Sequence, residues 1–328
     1  MAKFCFVVGA TYSYTPELTA LLNSLDYVGS TADVHILGIE LKEDFLSQLP
    51  KLSYTAVHHN ISEQEWQNDG GRSEIVCRKR YWYAAEFGKE YDAVCVLDAD
   101  LVFCRNPIQF FNIAAKTGFV LGPCKEQNKV YDDTHHQFKG EWQIPEGYWN
   151  DKDLCNCPVF IDAKKWEVPL RQSWIWFRDG LRDGTNMKCP DMDCMNIAFI
   201  KYIGKENIIA MAGNQWLGTN EQHLKPYIRV ITQRDGNLRT ESGIEIFSYH
   251  GQYYHKRWRD CQLDNRHCCA FGYLKADKHP EVIANLDSQA AGSMNLLYEY
   301  FRKMLDYKIV IEKKNYRHPE MSLDEYPT

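Results

Sequence analysis

Two aspartates separated by one residue, Asp98 and Asp100, follow an apolar run of strand length at residues 93–97. At this spacing two carboxylates project to the same side of an extended chain. Carboxylate oxygens are the ligands that hard cations such as Mg²⁺ and Mn²⁺ prefer, and such a cation also bridges two phosphates. The pair therefore indicates a cation site for a diphosphate. The alternative is a pair of aspartates that form a turn or cap a helix.

The elements around this pair predict how it is positioned. In the first half of the chain, strands are predicted at residues 4–8, 34–39, 54–57 and 93–97, and helices at residues 15–25 and 73–87. The first helix is predicted to begin with Thr15 as N-cap and Pro16 at the first helical position. This alternation is typical of an α/β protein with a doubly wound, mostly parallel sheet flanked by helices. Ligands bind beyond the carboxyl ends of strands in such sheets, and Asp98 stands at such an end.

A histidine and a glycine follow a strand predicted in the C-terminal half, at residues 244–249. His250 is therefore expected at the same sheet edge as Asp98, where a neutral imidazole could complete a carboxylate–carboxylate–imidazole cation site. Gly251 permits close approach of the backbone to phosphates, and Lys256 could stabilise the charge of a departing diphosphate. The alternatives are a surface or hydrogen-bonded histidine at position 250, or ligation by the nearby histidine at position 255 instead.

Composition excludes several classes of protein. The net charge of −6 disfavours a general nucleic-acid binder, which needs a basic face for phosphates. The sequence holds no run of about 18 apolar residues that would span a membrane, and residues 1–9 are too short for a signal peptide. We therefore expect a cytoplasmic protein with reduced thiols. The 12 cysteines lack the paired spacing of zinc ligands, and Cys5 and Cys95 are predicted to be small core residues.

Residues 91–102, which contain Asp98-Ala99-Asp100, resemble the metal-binding strand of GT-A glycosyltransferases. The likeness is strongest to family 8, with the glycogenin and galactosyltransferase-like enzymes. Further segments resemble that family in the same order along the chain. They are residues 7–14, 78–81, 156–162 with Lys165 and Trp166, 190–196 and 250–258. The resemblance covers about residues 3–258.

This resemblance implies a GT-A fold and a metal-dependent hexosyltransferase with Mn²⁺ or Mg²⁺ as its cation. The donor would be a nucleoside diphosphate sugar, a UDP-sugar in this family, and the acceptor a hydroxyl of a glycan or another molecule. Transfer would retain the anomeric configuration. The implied site residues are Asp98, Asp100 and His250 for the metal; Thr11, Tyr12, Tyr14, Lys79, Arg80, Ala99 and Gly251, together with the two aspartates, for the donor; and Asp191 and Lys256 for the transfer.

The sequence departs from the family pattern at several of these positions. Lys256 and Trp258 are displaced by two positions, Met192 replaces a glutamine, and Cys157-Pro158 replaces a pair of small residues. These changes leave the donor sugar open. Asp191 could instead be a helix N-terminal acid that interacts with the helix dipole, and the pattern does not choose between the cations at positions 79 and 80.

We predict a nucleotide-sugar transferase domain at residues 1–260 and a C-terminal extension packed on it at residues 261–328, where the apolar pattern indicates an amphipathic helix beyond about residue 295. An aperiodic, aromatic insertion at residues 123–153 is expected at the acceptor side. Two alternatives stay open. One is a haloacid-dehalogenase-type Mg²⁺-dependent phosphatase with Asp98 as nucleophile, although three predicted strands precede that motif here. The other is a carbohydrate-binding protein that keeps the fold without turnover.

Overall fold

The computed structural model describes the larger part of the chain. It describes residues 2–68, 78–123, 154, 157–182, 190–211, 216–217, 230–232, 238–240, 245–250 and 300–311. The predicted insertion at residues 123–153 lies outside the described residues except for its first residue, and so does most of the predicted C-terminal extension.

The described elements alternate between strands and helices in the first half of the chain, as predicted. The strands are β1 (Phe4–Thr11), β2 (Asp33–Ile39), β3 (Ala56–Asn60), β4 (Ala93–Asp98), β5 (Leu101–Phe103), β6 (Val120–Pro123), β7 (Val159–Ile161), β8 (Ile208–Met211), β9 (Trp216–Leu217), β10 (Val230–Thr232), β11 (Leu238–Thr240) and β12 (Ser248–His250). The helices are α1 (Thr15–Tyr27), α2 (Glu43–Leu46), α3 (Glu63–Asn68), α4 (Arg80–Phe87), α5 (Ile108–Thr117), α6 (Glu167–Arg182) and α7 (Pro190–Tyr202).

A seven-stranded sheet in the order β3-β2-β1-β4-β7-β6-β8 forms the centre of the fold. Strands β3, β2, β1 and β4 pair in parallel, and so do β6 and β8. Only β7 runs against its neighbours β4 and β6. The predicted mostly parallel α/β sheet is therefore confirmed. Two smaller sheets, β5-β12-β9 and β10-β11, complete the described strands.

Helices cover both faces of the central sheet, which explains why β1 and β4 are apolar along nearly their whole length. Along β1, Phe6 and Val8 pack in one core cluster, whereas Cys5 and Val7 pack in the other. Helices α1 and α5 contribute to the first cluster, and α4, α6 and α7 contribute to the second. Cys5 and Cys95 are fully buried with free thiols, so their prediction as core residues is confirmed.

The start of α1 differs from the prediction. A 3₁₀ turn at Tyr12–Tyr14 leads directly into the helix, so Tyr14 holds the N-cap position. The Thr15 hydroxyl therefore donates backwards to the Tyr12 carbonyl at 2.7 Å and does not cap the helix. Thr15 as N-cap was wrong, and Pro16 holds the second helical position instead of the predicted first one.

A C-terminal segment, residues 300–311, packs on α1. Its first residues, 300–305, are helical, within the helix predicted beyond about residue 295, and Phe301, Met304 and Ile309 are buried. The buried side chain of Asn23 holds this segment in place. It forms hydrogen bonds with backbone groups of the segment before and after the turn that follows residue 305. No helix in the described part of the chain is long and apolar enough to cross a membrane.

A buried histidine network ties β2 to β3 and to the start of β4. The His35 ring stacks on Phe87 at 4.3 Å between centroids, and its two nitrogens lie 2.9 Å from His59 Nε2 and from the Tyr91 hydroxyl. Because that hydroxyl donates to Asp33 Oδ2, His35 Nε2 is the donor to Tyr91 in this network. Burial, reinforced by the neighbouring His59, lowers the pKa of His35 to about 4.

The lowered pKa of His35 predicts a pH dependence of stability. The unfolded chain, with an ordinary histidine pKa near 6.5, binds a proton at pH values where the folded state does not. This contribution to stability is therefore complete above about pH 6.5 and is lost as the pH falls towards 4. We expect the melting temperature of His35→Gln to fall less between pH 7 and pH 4.5 than that of the wild type. Tyr91→Phe, which keeps the imidazole, should retain the steep wild-type slope; equal slopes in all three proteins would contradict the assignment.

Candidate active site

The carboxyl ends of β1 and β4 bring the predicted nucleotide loop next to the aspartate pair. These strands are parallel neighbours, and Gly9 of β1 is in register with Asp98 of β4. Thr11 therefore lies two residues beyond the level of Asp98, and its hydroxyl is 3.0 Å from that of Ser13. Tyr14, at the end of the following turn, is 38% exposed. The loop thus presents hydroxyls and an accessible ring at the sheet edge where Asp98 emerges.

Tyr12 lies in the same loop and carries a cation on its ring. The Lys42 Nζ atom, from the segment after β2, is 4.7 Å from the centroid of the Tyr12 ring. A cation at this distance over an aromatic face is attracted by the ring quadrupole. The loop after β1 is thereby linked to the loop after β2 at one edge of the sheet.

Asp98 ends β4 with a partly accessible carboxylate, since its side chain is 33% exposed. Its Oδ1 atom accepts a hydrogen bond from the guanidinium of Arg80, whose own side chain is only 3% exposed. Its Oδ2 atom accepts a hydrogen bond from the Cys157 thiol at 2.8 Å. Both oxygens of the first carboxylate are therefore held by donors from other elements.

Cys157 reaches Asp98 from the segment that leads into β7. β7 runs antiparallel to β4 with Val159 opposite Val96, and Cys157 lies two residues before Val159. Burial raises the pKa of the Cys157 thiol well above its ordinary value, and the charge of Asp98 raises it further. The thiol is therefore protonated at neutral pH and acts as a donor. In the sequence, Cys157 stands out only as a departure from a family motif. The sequence pattern does not show that it lies two residues before a β7 residue that pairs with β4.

The two cations that the sequence could not separate have different partners. The Lys79 Nζ atom lies 3.1 Å from Glu65 Oε1 and 5.7 Å from the ring centroid of Trp174. Arg80 instead turns inward to Asp98. In α4, Arg80 shares the buried face with Ala84, which is four residues further along the helix. Of the pair, Arg80 is the residue that the structure brings to the site.

Asp100 lies in the turn between β4 and β5 and is 8% exposed, next to the buried Ala99. The register of β5 with β12 places His250 directly opposite Leu101, the residue after Asp100. The backbone of His250 is therefore adjacent to the aspartate pair. The strand predicted at residues 244–249 is found at Ser248–His250, and it belongs to the separate sheet β5-β12-β9 and not, as predicted, to the central sheet. Gly251 and Lys256 lie outside the described residues. Among the described side chains, no group of three His, Cys, Asp or Glu residues is placed to hold a metal ion.

Asp191 lies in the first turn of α7, which begins at Pro190. That helix is fastened close to β7 by the buried side chain of Asn196. Its Oδ1 atom accepts from the Leu154 amide at 3.0 Å, and its Nδ2 atom donates to the Leu154 carbonyl at 2.9 Å. Residue 154 precedes Cys157 by three positions. The helix that carries Asp191 is thus tied to the segment that approaches Asp98.

A separate pocket of about 330 Å³ lies away from this edge, beyond the end of α1 and the segment after β5. It is lined by Tyr27, Val28, Cys104, Arg105, Asn106, Gln109, Glu245 and Phe247. It contains no residue of the candidate active site.

Comparison with known proteins gives the fold a counterpart. No protein-family model matches the chain, and no curated protein sequence is significantly similar to it. Among solved structures, the galactosyltransferase LgtC in complex with donor and acceptor sugar analogs matches with a TM-score of 0.52 at 12% identity, over 87% of this chain and 96% of LgtC. An active-site mutant of LgtC matches with a TM-score of 0.50 at 14% identity, over the same shares of both chains.

The apo structure of the bifunctional glycosyltransferase WbbM matches with a TM-score of 0.54 at 12% identity. The match covers 92% of this chain and 52% of WbbM, so the chain spans about half the length of that protein. The chain has a GT-A glycosyltransferase fold. At these identities the likeness establishes the fold, which confirms the predicted fold class. The central sheet therefore positions Asp98 at the end of β4, and the smaller sheet β5-β12-β9 brings the backbone of His250 beside the aspartate pair.

Proposed function

We propose that the chain is a metal-dependent glycosyltransferase that moves a hexosyl group from a nucleoside diphosphate sugar to an acceptor hydroxyl. The observation that supports this proposal most strongly is the placement of Asp98 and Asp100. They lie at the carboxyl edge of a GT-A sheet, beside the loop after β1 and opposite the backbone of His250. Ligands bind at such edges in doubly wound sheets.

The donor set fits a hard divalent cation. Asp98, Asp100 and His250 would supply carboxylate oxygens and an imidazole nitrogen, a set suited to Mn²⁺ or Mg²⁺. When bound, such a cation supplies positive charge that neutralises the diphosphate leaving group. The carboxylate of Asp98 is partly exposed, whereas Asp100 is more enclosed. This difference is consistent with a cation site at the sheet edge that is open to solvent on the side of Asp98.

Residues of the chain itself would bind and orient the donor. Thr11, Tyr12 and Tyr14 would contact the nucleoside, most simply uridine, while the backbone at Ala99 lies between the two carboxylates. Arg80 is the cation nearest Asp98 and would donate hydrogen bonds to diphosphate oxygens, as guanidinium groups do in a bidentate manner. Lys79, engaged by Glu65, would support α4 and not the donor.

Three further residues outside this cluster also have proposed roles in binding the donor or the acceptor. Gly251 would allow phosphates to approach the backbone, and Lys256 would stabilise charge on the departing diphosphate. Asp191 would contact hydroxyls of the donor sugar or of the acceptor. We propose retention of the anomeric configuration, which the resemblance to family 8 implies, by front-side attack assisted by the leaving phosphate.

The likeness to LgtC favours a sugar acceptor for this chain, because the LgtC structure contains donor and acceptor sugar analogs. The phosphatase alternative is not favoured, because the solved structures with the matching fold are glycosyltransferases. The GT-A fold also places four strands of the central sheet, not one, at or before this motif.

The proposed function is tested by thermal unfolding with nucleotide and metal. We expect UDP at about 100 times its Kd, together with Mn²⁺, to stabilise the protein by about 3 kcal/mol. The melting temperature should therefore rise by several degrees. UDP or Mn²⁺ alone should give a much smaller shift. No shift with any nucleoside diphosphate and cation would contradict the proposal, and hydrolysis of p-nitrophenyl phosphate abolished by Asp98→Asn would support the phosphatase instead.

Turnover separates an enzyme from a carbohydrate-binding protein with the same fold. Slow hydrolysis of a UDP-sugar, or transfer to an added sugar, is the expected result for an enzyme. The anomeric configuration of the first product, measured by NMR before mutarotation, should be that of the donor. An inverted product would refute the retaining mechanism while leaving transferase activity in place.

A further inference from the structure

The carboxylate of Asp98 is held from two sides by two different elements. Arg80, the first residue of α4, donates to Oδ1, and Cys157, just before β7, donates to Oδ2 at 2.8 Å. Both donors are almost completely buried. Contacts 18 and 59 positions apart in the chain thus converge on one side chain.

Two donors constrain this carboxylate more than one would. The terminal torsion of an aspartate is broad, so a single hydrogen bond leaves the carboxylate plane free to turn. A second donor on the other oxygen defines that plane. Cys157 suits this task because it lies only two residues before Val159, which is opposite Val96 in the β4–β7 register, so a residue of the sheet holds the chain close to Asp98.

A thiol is also a weak donor. It can orient an oxygen of Asp98 without competing strongly with a cation for the same lone pairs, whereas a charged donor would compete. Groups that hydrogen-bond to metal ligands typically change metal affinity 10–100-fold when they are removed. The ordinary alternative is that Cys157 only fills space in the core, as buried cysteines often do.

We propose that Cys157 is a positioning residue that fixes the carboxylate of Asp98 in the orientation required for cation and diphosphate binding. This inference rests on the proposed function, because it assigns Cys157 a part in that same site. The inference also goes beyond the proposed function. It assigns a defined contact and a measurable effect to a cysteine that replaces a small residue of the family motif.

The experiment compares Cys157→Ala, Cys157→Ser and the control Cys95→Ala. Cys95 is also fully buried, lies in β4 and contacts the Val96 carbonyl at 4.0 Å instead of Asp98. We expect Cys157→Ala to weaken Mn²⁺ binding about tenfold in the presence of UDP, measured by calorimetry. Cys157→Ser, which keeps a donor, should stay within about threefold of the wild type. Cys95→Ala should lower the melting temperature without changing Mn²⁺ affinity.

The hydrogen bond itself has a separate readout in the infrared S–H stretching band. A thiol bonded to a carboxylate absorbs at lower frequency than a free thiol. That component should be present in the wild type, absent in Cys157→Ala, and moved upward in Asp98→Asn, whose neutral amide is a weaker acceptor. Absence of the component from the wild type would overturn the inference.

The outcomes distinguish this inference from the proposed function. Wild-type protein that binds Mn²⁺ and UDP, with unchanged affinity in Cys157→Ala, would overturn the inference alone. Equal losses of affinity in Cys157→Ala and Cys95→Ala would show a packing effect and would also overturn it. Wild-type protein that binds neither Mn²⁺ nor UDP would overturn the proposed function, and the inference with it.

Discussion

Asp98→Asn is expected to lower kcat/KM for transfer by about a thousandfold or more and to abolish the response to Mn²⁺. The substitution keeps the size of the side chain and its place at the end of β4 but removes the negative charge that would face a cation. A thousandfold loss corresponds to about 4 kcal/mol of transition-state stabilisation, a magnitude that loss of one charged ligand can account for. Steady-state kinetics with and without Mn²⁺ measures both effects.

Two further variants separate this loss from a folding defect. Asp98→Asn also replaces the carboxylate that accepts a hydrogen bond from the buried Arg80 with a weaker acceptor. The melting temperature of this variant must therefore be measured together with its activity. Asp100→Asn should lose activity to a similar degree. Asp92→Asn, at the opposite end of the same β-strand region, removes an exposed carboxylate that accepts from the Lys3 amide. It should stay within about twofold of the wild type; near-wild-type transfer by Asp98→Asn with its Mn²⁺ response intact would refute the metal assignment.

Asn23→Ala is expected to destabilise the fold by about 4 kcal/mol, through loss of its bonds to the C-terminal segment. Its Nδ2 atom donates to the carbonyls of Met304 at 2.6 Å and Ile309 at 2.8 Å. Its Oδ1 atom accepts from the Ile309 amide at 2.9 Å. Alanine would leave these buried backbone groups without a partner, at about 1–3 kcal/mol each. Urea unfolding measures the loss, and proteolysis within residues 300–311 should accelerate.

Gln48 provides a matched control for Asn23, because it bonds the same segment from an exposed position. Its Nε2 atom donates to the Val310 carbonyl at 2.8 Å, and its Oε1 atom accepts from the Val310 amide at 3.0 Å. Water can replace both bonds, so Gln48→Ala should cost less than about 1 kcal/mol. Equal losses for the two variants would show that burial does not decide the strength of this attachment.

Most of the sheet was predictable because its strands carry local signals. β1 and β4 are continuous apolar runs, and the end of the apolar run at residue 97 is sufficient to predict Asp98 at the carboxyl end of β4. β3 was predicted at residues 54–57 but found at Ala56–Asn60. The error arose because His58 and His59 interrupt the apolar pattern, although their rings are partly covered by neighbouring elements. The antiparallel direction of β7 has no local signal in its three residues.

The candidate site was predictable in part. The sequence predicted the loop after β1, the aspartate pair and the strand before His250 at one sheet edge. The register of β1 with β4 has the first two side by side, but His250 approaches them from β12 in a separate sheet with β5. The sequence did not separate Lys79 from Arg80. The side chain that turns inward depends on where α4 lies over the sheet, which is set by packing against α6 and by the pairing of Lys79 with Glu65.

By itself, the sequence determined the α/β alternation and the position of two carboxylates at the end of a buried strand. Both follow from the periodicity of apolar residues and from residue types that are neighbours along the chain. Only the tertiary structure decided that Arg80 and Cys157 donate hydrogen bonds to Asp98, and that Asn23 bonds to a segment 281 positions away. Such contacts depend on strand register and helix packing, which are properties of the assembled sheet and have no counterpart in any local pattern.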